Sequence, residues 1–339
     1  MANKIYPVTE THGLKLAGPG DIVELLPSPG ANPLFLCKNF LDVLTYGIAH
    51  NEFIHISGPT GSAKSSVLEA FSLPENYCSL CETNDLDNDR PIRIYPIEMA
   101  TFESPAELFQ RRSLKNGSTY DEPSTLVAAL RQASKNKDKQ QPLIWLREMG
   151  RVHSASVQGG LLNLMSKTDI LLPDGSHIDG TGISWVADSN YQADTDATHT
   201  LVTLDDALKR RFSINLTLGY LPEEQEEQVL QHLLGKTEIR NEVRDLIPGI
   251  VRLGNEIREQ KMEGNLQSIT PPTIYGYLAL LRLQQKMPYT ILHDAINATL
   301  LGNASQDDSN QALVLFNRIF GLQAEMDLDD DNTMGGDWI

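Results

Sequence analysis

Along the first two thirds of the chain, short apolar runs alternate with segments whose apolar residues recur at helical spacing. The runs cover residues 53–56, 92–97, 142–148, 182–188 and 212–218, each of strand length. Between them, 39–50 carries Phe40, Leu41, Leu44 and Ile48 on one helical face, and 124–135 does the same with Leu126, Leu130 and Ala133. Residues 64–71, 157–166 and 205–211 also predict helices. Strands separated by helices predict a parallel sheet covered on both faces. Ser104-Pro105-Ala106-Glu107 has the form of a capping box with proline at the first helical position, and predicts a helix to about Arg112. Asn116-Gly117 and Asp174-Gly175 predict hairpins over 114–120 and 170–178. The polar stretches 73–90 and 191–203 predict loops.

From Pro222 the texture changes. Glu223, Glu224, Glu226 and Glu227 open a helix with acid in its first turn, as the helix dipole favours. Everything from there to about Glu325 predicts helices, one of them capped by Thr270-Pro271. The predicted organisation is a lead-in over 1–38 with few long elements (Pro7, Pro19, Pro27, Pro29 and Pro33), an α/β domain over 39–219, a smaller all-helical domain over 220–325 and an acidic tail over 326–339. The tail reads as a solvated segment, or as a docking peptide anchored by Trp338.

The stretch that organises the chain follows the first run: Gly58-Pro59-Thr60-Gly61-Ser62-Ala63-Lys64-Ser65-Ser66. Strand, glycine-containing turn, Lys-Ser and helix share one register. Turn N–H groups and an open helix N-terminus both favour an anion. Lys64 supplies a point charge for the β- and γ-phosphates of ATP, and Ser65 a hydroxyl for Mg²⁺. The usual pattern G-x-x-x-x-G-K-[ST] has Ala63 in place of its last glycine. That position lies where loop becomes helix, so an ordinary right-handed residue is expected there. Hydrolysis further needs a carboxylate to orient water and cations for the developing charge. Glu148, ending the run before it, fits the first role. Asn190, ending the next strand, fits the attacking water or the γ-phosphate. Arg210 and Arg211 are placed to serve as an arginine finger toward a neighbouring subunit's nucleotide.

Charge narrows the partners. Acidic residues outnumber basic ones 45 to 28, for a net charge of −17. Such a surface repels nucleic acid and anionic lipid, and no basic–aromatic stripe offsets it. No run approaches the ~20 apolar residues of a membrane span, and the first residues lack the apolar core of a signal peptide. A cytoplasmic protein is expected. With three cysteines, Cys78-Ser79-Leu80-Cys81 reads as structural thiols rather than half a zinc site or a redox pair. The eight histidines show no ligand spacing.

Taken in order, these motifs resemble a MoxR-like ATPase of the AAA+ superfamily, over roughly residues 35–285. The Gly58–Ser65 turn is similar to that family's phosphate loop. Residues 104–108 through 117–119 resemble the insert in the second helix that marks the branch. Glu148-Met149-Gly150-Arg151-Val152 with Leu161-Leu162-Asn163-Leu164-Met165 resembles "D-E-I-N-R-A … L-L-x-x-M". Pro173-Asp174-Gly175 resembles the hairpin before sensor 1, Ala187-Asp188-Ser189-Asn190-Tyr191 resembles "A-T-x-N-P", and Ala207-Leu208-Lys209-Arg210-Arg211-Phe212 resembles "A-L-L-D-R-F". The resemblance implies an αβα sandwich with a helical lid, ATP with Mg²⁺ bound between subunits of a hexameric ring, and a protein client, often one with a von Willebrand A domain. Two departures bear on turnover. The aspartate expected before Glu148 is Arg147, which opposes the metal, contacts phosphate, or turns away to pair with a carboxylate. The lid's "S-P-R" is Thr270-Pro271-Pro272, without the arginine. These departures leave two readings of the site, a remodelling ATPase and a hydrolysis-impaired nucleotide-binding scaffold, with a nucleic-acid motor disfavoured by the charge.

Overall fold

The computed structural model describes residues 5–7, 20–28, 31–86, 90–115, 117–152, 154–190, 204–235, 240–288 and 290–321. Trp338 and the acidic tail, Asn116, and the predicted loop at 191–203 lie outside them. The chain forms two compact units, 1–229 and 230–339.

The first unit opens with β1 (Ile5–Pro7), β2 (Ile22–Leu25) and β3 (Leu34–Cys37), a small sheet in the order β1-β2-β3. Next come α1 (Lys38–Ala49), β4 (Phe53–Gly58), α2 (Lys64–Phe71), α3 (Pro74–Thr83) and β5 (Ile92–Glu98). The hairpin β6 (Gln110–Lys115) and β7 (Ser118–Pro123) leads to α4 (Thr125–Asn136), β8 (Gln141–Arg147) and α5 (Ala155–Leu164). A second hairpin, β9 (Asp169–Leu171) and β10 (His177–Asp179), precedes β11 (Ser184–Asn190), α6 (Asp206–Lys209) and β12 (Ile214–Thr217).

The central sheet is parallel throughout, in the order β12-β4-β11-β8-β5. Its middle strands β8 and β11 are buried along almost their whole length, as expected for strands covered on both faces. On one face, Leu41, Leu44, Leu68, Tyr77 and Trp145 pack α1, α2 and α3 onto the strands. On the other, Leu126, Leu130, Leu161 and Trp185 do the same for α4 and α5. Each such leucine, fully buried, contributes about 1.5–3 kcal/mol. Because β11 lies between β4 and β8, the chain leaves β4 for the far edge and returns beside it. Such a reversal opens a crevice at the carboxyl ends of the strands.

Two local expectations are corrected. Residues 74–83, read as loop, form α3: Pro74 starts the helix, Glu75 sits in its first turn, and Tyr77, Leu80 and Cys81 are buried. The helix expected from Ser104 is a single 3₁₀ turn, Pro105–Leu108, followed by strand β6. Ser104 makes no cap hydrogen bond; Glu107 Oε2 instead accepts the N–H of Glu103 at 2.8 Å, and β6 is claimed by its ladder with β7. Both hairpins form as expected.

The α7 helix (Glu223–Gly235) runs into the second unit, which continues with α8 (Asn241–Arg244), α9 (Ile247–Met262), α10 (Ile274–Lys286), α11 (Leu292–Thr299) and α12 (Gln306–Phe320). Its core gathers Ile250, Ile257, Tyr277, Leu281, Ile296 and Phe316. Thr273, rather than Thr270, caps α10, its side chain accepting the Gly276 N–H. Among the described residues no helix is long and apolar enough to cross a membrane.

Candidate nucleotide site

The turn between β4 and α2 stands at the crevice. Its two ends are fixed by different constraints. At Gly58, a Cβ would meet the Leu218 carbonyl oxygen at 2.0 Å, because the Leu218 N–H donates to the Ser57 carbonyl at 2.8 Å and brings that backbone close. Here glycine is required by the neighbouring strand. At the other end Ala63 has φ 70° and ψ 19°, in the left-handed region, which corrects the right-handed conformation expected for it. Glycine would adopt this positive φ without strain; alanine adopts it against a penalty of about 1–2 kcal/mol. Gly61 also has a positive φ, 81°. Ser62 closes the turn from inside, its Oγ donating to the Pro59 carbonyl at 2.9 Å.

Thr60, Gly61, Ala63, Lys64, Ser65 and Ser66 line one side of a cavity of about 210 Å³. Glu148, Gly150, Arg151, Asp188 and Asn190 line the other. The structure thus brings Lys64, Ser65, Glu148 and Asn190 together. Gly58, Pro59 and Ser62 shape the loop from behind. Asn190 is level with Gly58 on adjacent strands. Arg210 and Arg211 do not line this cavity; Arg211 Nη1 donates to the Met165 carbonyl at 3.4 Å.

Lys64 is 6% exposed, and its Nζ donates to the carbonyls of Gly58 at 2.9 Å and Pro59 at 2.7 Å. Both are neutral acceptors, and phosphate oxygens make stronger, charge-assisted bonds. Glu148 follows β8 in the left-handed region, φ 52° and ψ 51°, which turns its carboxylate into the cavity beside Arg151 Nη1 at 3.2 Å. A non-glycine residue held there stores about 1–3 kcal/mol, the kind of strain that collects at functional sites.

Arg147 turns toward β5. Its Nη1 meets Glu98 Oε1 at 2.6 Å, the two residues being cross-strand partners, and its guanidinium lies 4.7 Å from the Trp145 ring centre. Of the three roles left open for it, pairing with a carboxylate is the one seen. Beside it on β11 stands a residue that sequence reasoning quoted without assigning a role. Asp188 is 3% exposed; its Oδ1 accepts from the Trp145 indole N–H at 2.6 Å and the Glu148 backbone N–H at 3.4 Å, and its Oδ2 lies 3.5 Å from Ser65 Oγ. Burial pushes the Asp188 carboxyl upward from the ordinary aspartate range. The signal was available: a carboxylate ending an apolar strand, where the resembled motif has threonine.

Serine hydroxyl and carboxylate oxygens, with room for phosphate oxygens, form the hard donor set that suits Mg²⁺. Among the described residues no group of three or more His, Cys, Asp or Glu side chains is arranged to hold a metal ion. Cys78 and Cys81 lie on α3 outside any disulfide, Cys81 buried with its pKa pushed up to about 12 by desolvation.

A model of the AAA domain (dynein-related subfamily) matches residues 54–212. No curated protein sequence matches the chain. Among solved structures, one similar chain belongs to the HORMA–CdnC–Trip13 complex of E. coli MS115-1, at 15% identity and TM-score 0.40, covering 83% of this chain and 86% of that one. Another is the FIGL-1 AAA domain in complex with ADP, at 16% identity and TM-score 0.39, covering 82% and 80%. From β4 through α6, this chain is similar to the AAA domain of the dynein-related subfamily.

Proposed function

We propose that the protein is a MoxR-like ATPase that binds Mg²⁺-ATP between subunits of a ring and uses its turnover to remodel or activate a partner protein. The supporting observation is the convergence of Lys64, Ser65, Glu148 and Asn190 on one cavity at the carboxyl ends of β4, β8 and β11. In this reading the turn from Gly58 to Ser66 cradles the triphosphate, and Lys64 neutralises the β- and γ-phosphates. Ser65 would hold Mg²⁺, which would offset the charge of the phosphate oxygens. Asn190 positions a water, and Glu148 takes its proton as the water oxygen bonds to the γ-phosphorus. The bond from that phosphorus to the bridging oxygen breaks, giving ADP and phosphate. Arg210 and Arg211 are assigned to a neighbouring subunit's nucleotide, which would make the ring, hexameric by resemblance, part of the site. A cytoplasmic location and a client with a von Willebrand A domain complete the proposal.

A second reading, a scaffold that binds ATP and hydrolyses it slowly or not at all, draws on the Glu148–Arg151 contact and on Pro272. Arg151 Nη1 lies 3.2 Å from the carboxylate that must accept a proton. Where the lid of the resembled family has an arginine, the Pro272 carbonyl instead accepts from Arg258 Nε at 2.9 Å and Nη2 at 2.6 Å. Steady-state phosphate release by the purified protein, beside Glu148→Gln, decides between them. A wild-type rate at least about 100-fold above the variant, the scale of a general base, supports the ATPase; equal rates with nucleotide bound by both establish the scaffold.

A further inference from the structure

We propose that Asp188, delivered by β11, is the carboxylate that orders Mg²⁺ at this site, the duty having moved one strand over from the position occupied by Arg147. The inference rests on the Mg²⁺-nucleotide reading and deepens it.

Strand register makes the transfer geometrically simple. Ala187 pairs with Leu146, so Asp188 and Arg147 stand level at the ends of parallel neighbours, above the same helix-covered face. Arg147 is drawn to the β5 side by Glu98 and by stacking on Trp145. Its departure leaves the space beside Ser65 to Asp188. The two carboxylate oxygens are then differentiated. The Trp145 indole and the Glu148 N–H fix Oδ1, while Oδ2 is turned to the Ser65 hydroxyl and the cavity. A carboxylate with one oxygen pinned by protein donors and the other presented beside a metal-binding hydroxyl is oriented as ligand-ordering groups are.

Energetics favour a function over a packing role. An ionised carboxylate at 3% exposure needs strong compensation. One indole donor, one long backbone contact, the Ser65 hydroxyl at 3.5 Å and an attraction from Lys64 supply part of it. A divalent cation beside Ser65 would supply the rest. If Asp188 served only to hold Trp145, asparagine would accept the same indole proton without burying a charge.

The test measures binding of a non-hydrolysable ATP analogue by calorimetry, in EDTA and across a Mg²⁺ titration. Asp188→Asn is expected to bind the analogue in EDTA as the wild type does, but to need about 10–100-fold more Mg²⁺ for half of the metal-dependent gain in affinity. Arg147→Ala is expected to keep the wild-type midpoint. The exchange variant Arg147→Asp/Asp188→Thr, which returns the carboxylate to β8, is expected to bring the midpoint back to the wild-type value. An Asp188→Asn midpoint equal to wild type overturns the proposal. Should Asp188→Asn not fold, the exchange variant decides: a wild-type midpoint supports the transfer, and a raised one overturns it. Failure of the wild type to bind the analogue under either condition would sink the nucleotide reading itself.

Discussion

Replacing Ala63 by glycine relieves a strain carried by the turn between β4 and α2. Ala63 sits at φ 70° and ψ 19° immediately before α2. The left-handed region penalises an alanine by about 1–2 kcal/mol, because its Cβ crowds the following carbonyl. Glycine removes that penalty but brings a more flexible unfolded chain, worth about 0.4–1 kcal/mol in the opposite direction. The difference, centred near 0.5–1 kcal/mol, is a stabilisation; for a unit of this size it amounts to roughly 1–4 °C in Tm. Scanning calorimetry of wild type and Ala63→Gly without nucleotide reads it directly. Gly61→Ala provides the mirror experiment, since Gly61 holds φ 81° in the same loop and is expected to lose stability by a similar amount. A Tm unchanged or lowered in Ala63→Gly, alongside a loss in Gly61→Ala, would show that residue 63 is right-handed in solution and that the strain argument is wrong.

Gly58→Ala is expected to destabilise by about 1–3 kcal/mol or more, since its Cβ meets a backbone carbonyl held in a strand ladder; denaturant unfolding with no loss would show that β12 can move away. Cys81 is expected to resist alkylation at pH 8 in the native protein, its thiol pushed up to about 12, and to react on unfolding; rapid native labelling at Cys81, located by mass spectrometry, refutes the packing of α3. Asp179 is held down to about 2, first by hydrogen bonding from Lys137 and then by Thr181. Its stabilisation is therefore present above the ordinary carboxyl range and fades as pH falls toward 2. The stability gap between wild type and Asp179→Asn, below about 1 kcal/mol for so exposed a pair, is expected to close over that interval, and a gap independent of pH contradicts the contact.

The sequence by itself determined the αβα class, the turn between β4 and α2 and the meeting of Lys64, Ser65, Glu148 and Asn190. Each depends on local signals: apolar runs of strand length, a Gly-Lys-Ser turn in register between strand and helix, and polar residues ending buried strands. Parallel strands placed side by side carry their last residues to one edge, so position along the chain was enough to predict the meeting. Elsewhere tertiary structure decided. The 74–83 segment has few apolar residues, and α3 is secured by burying Tyr77, Leu80 and Cys81 against α1 and α2. The capping signature at Ser104 yielded to the β6–β7 ladder, where non-local hydrogen bonds outweigh a local preference. Arg147 and Asp188 lie 41 positions apart, and no pattern along one strand reports its partner across the ladder. Only the register of β5, β8 and β11 sends the arginine to Glu98 and leaves the aspartate facing Ser65.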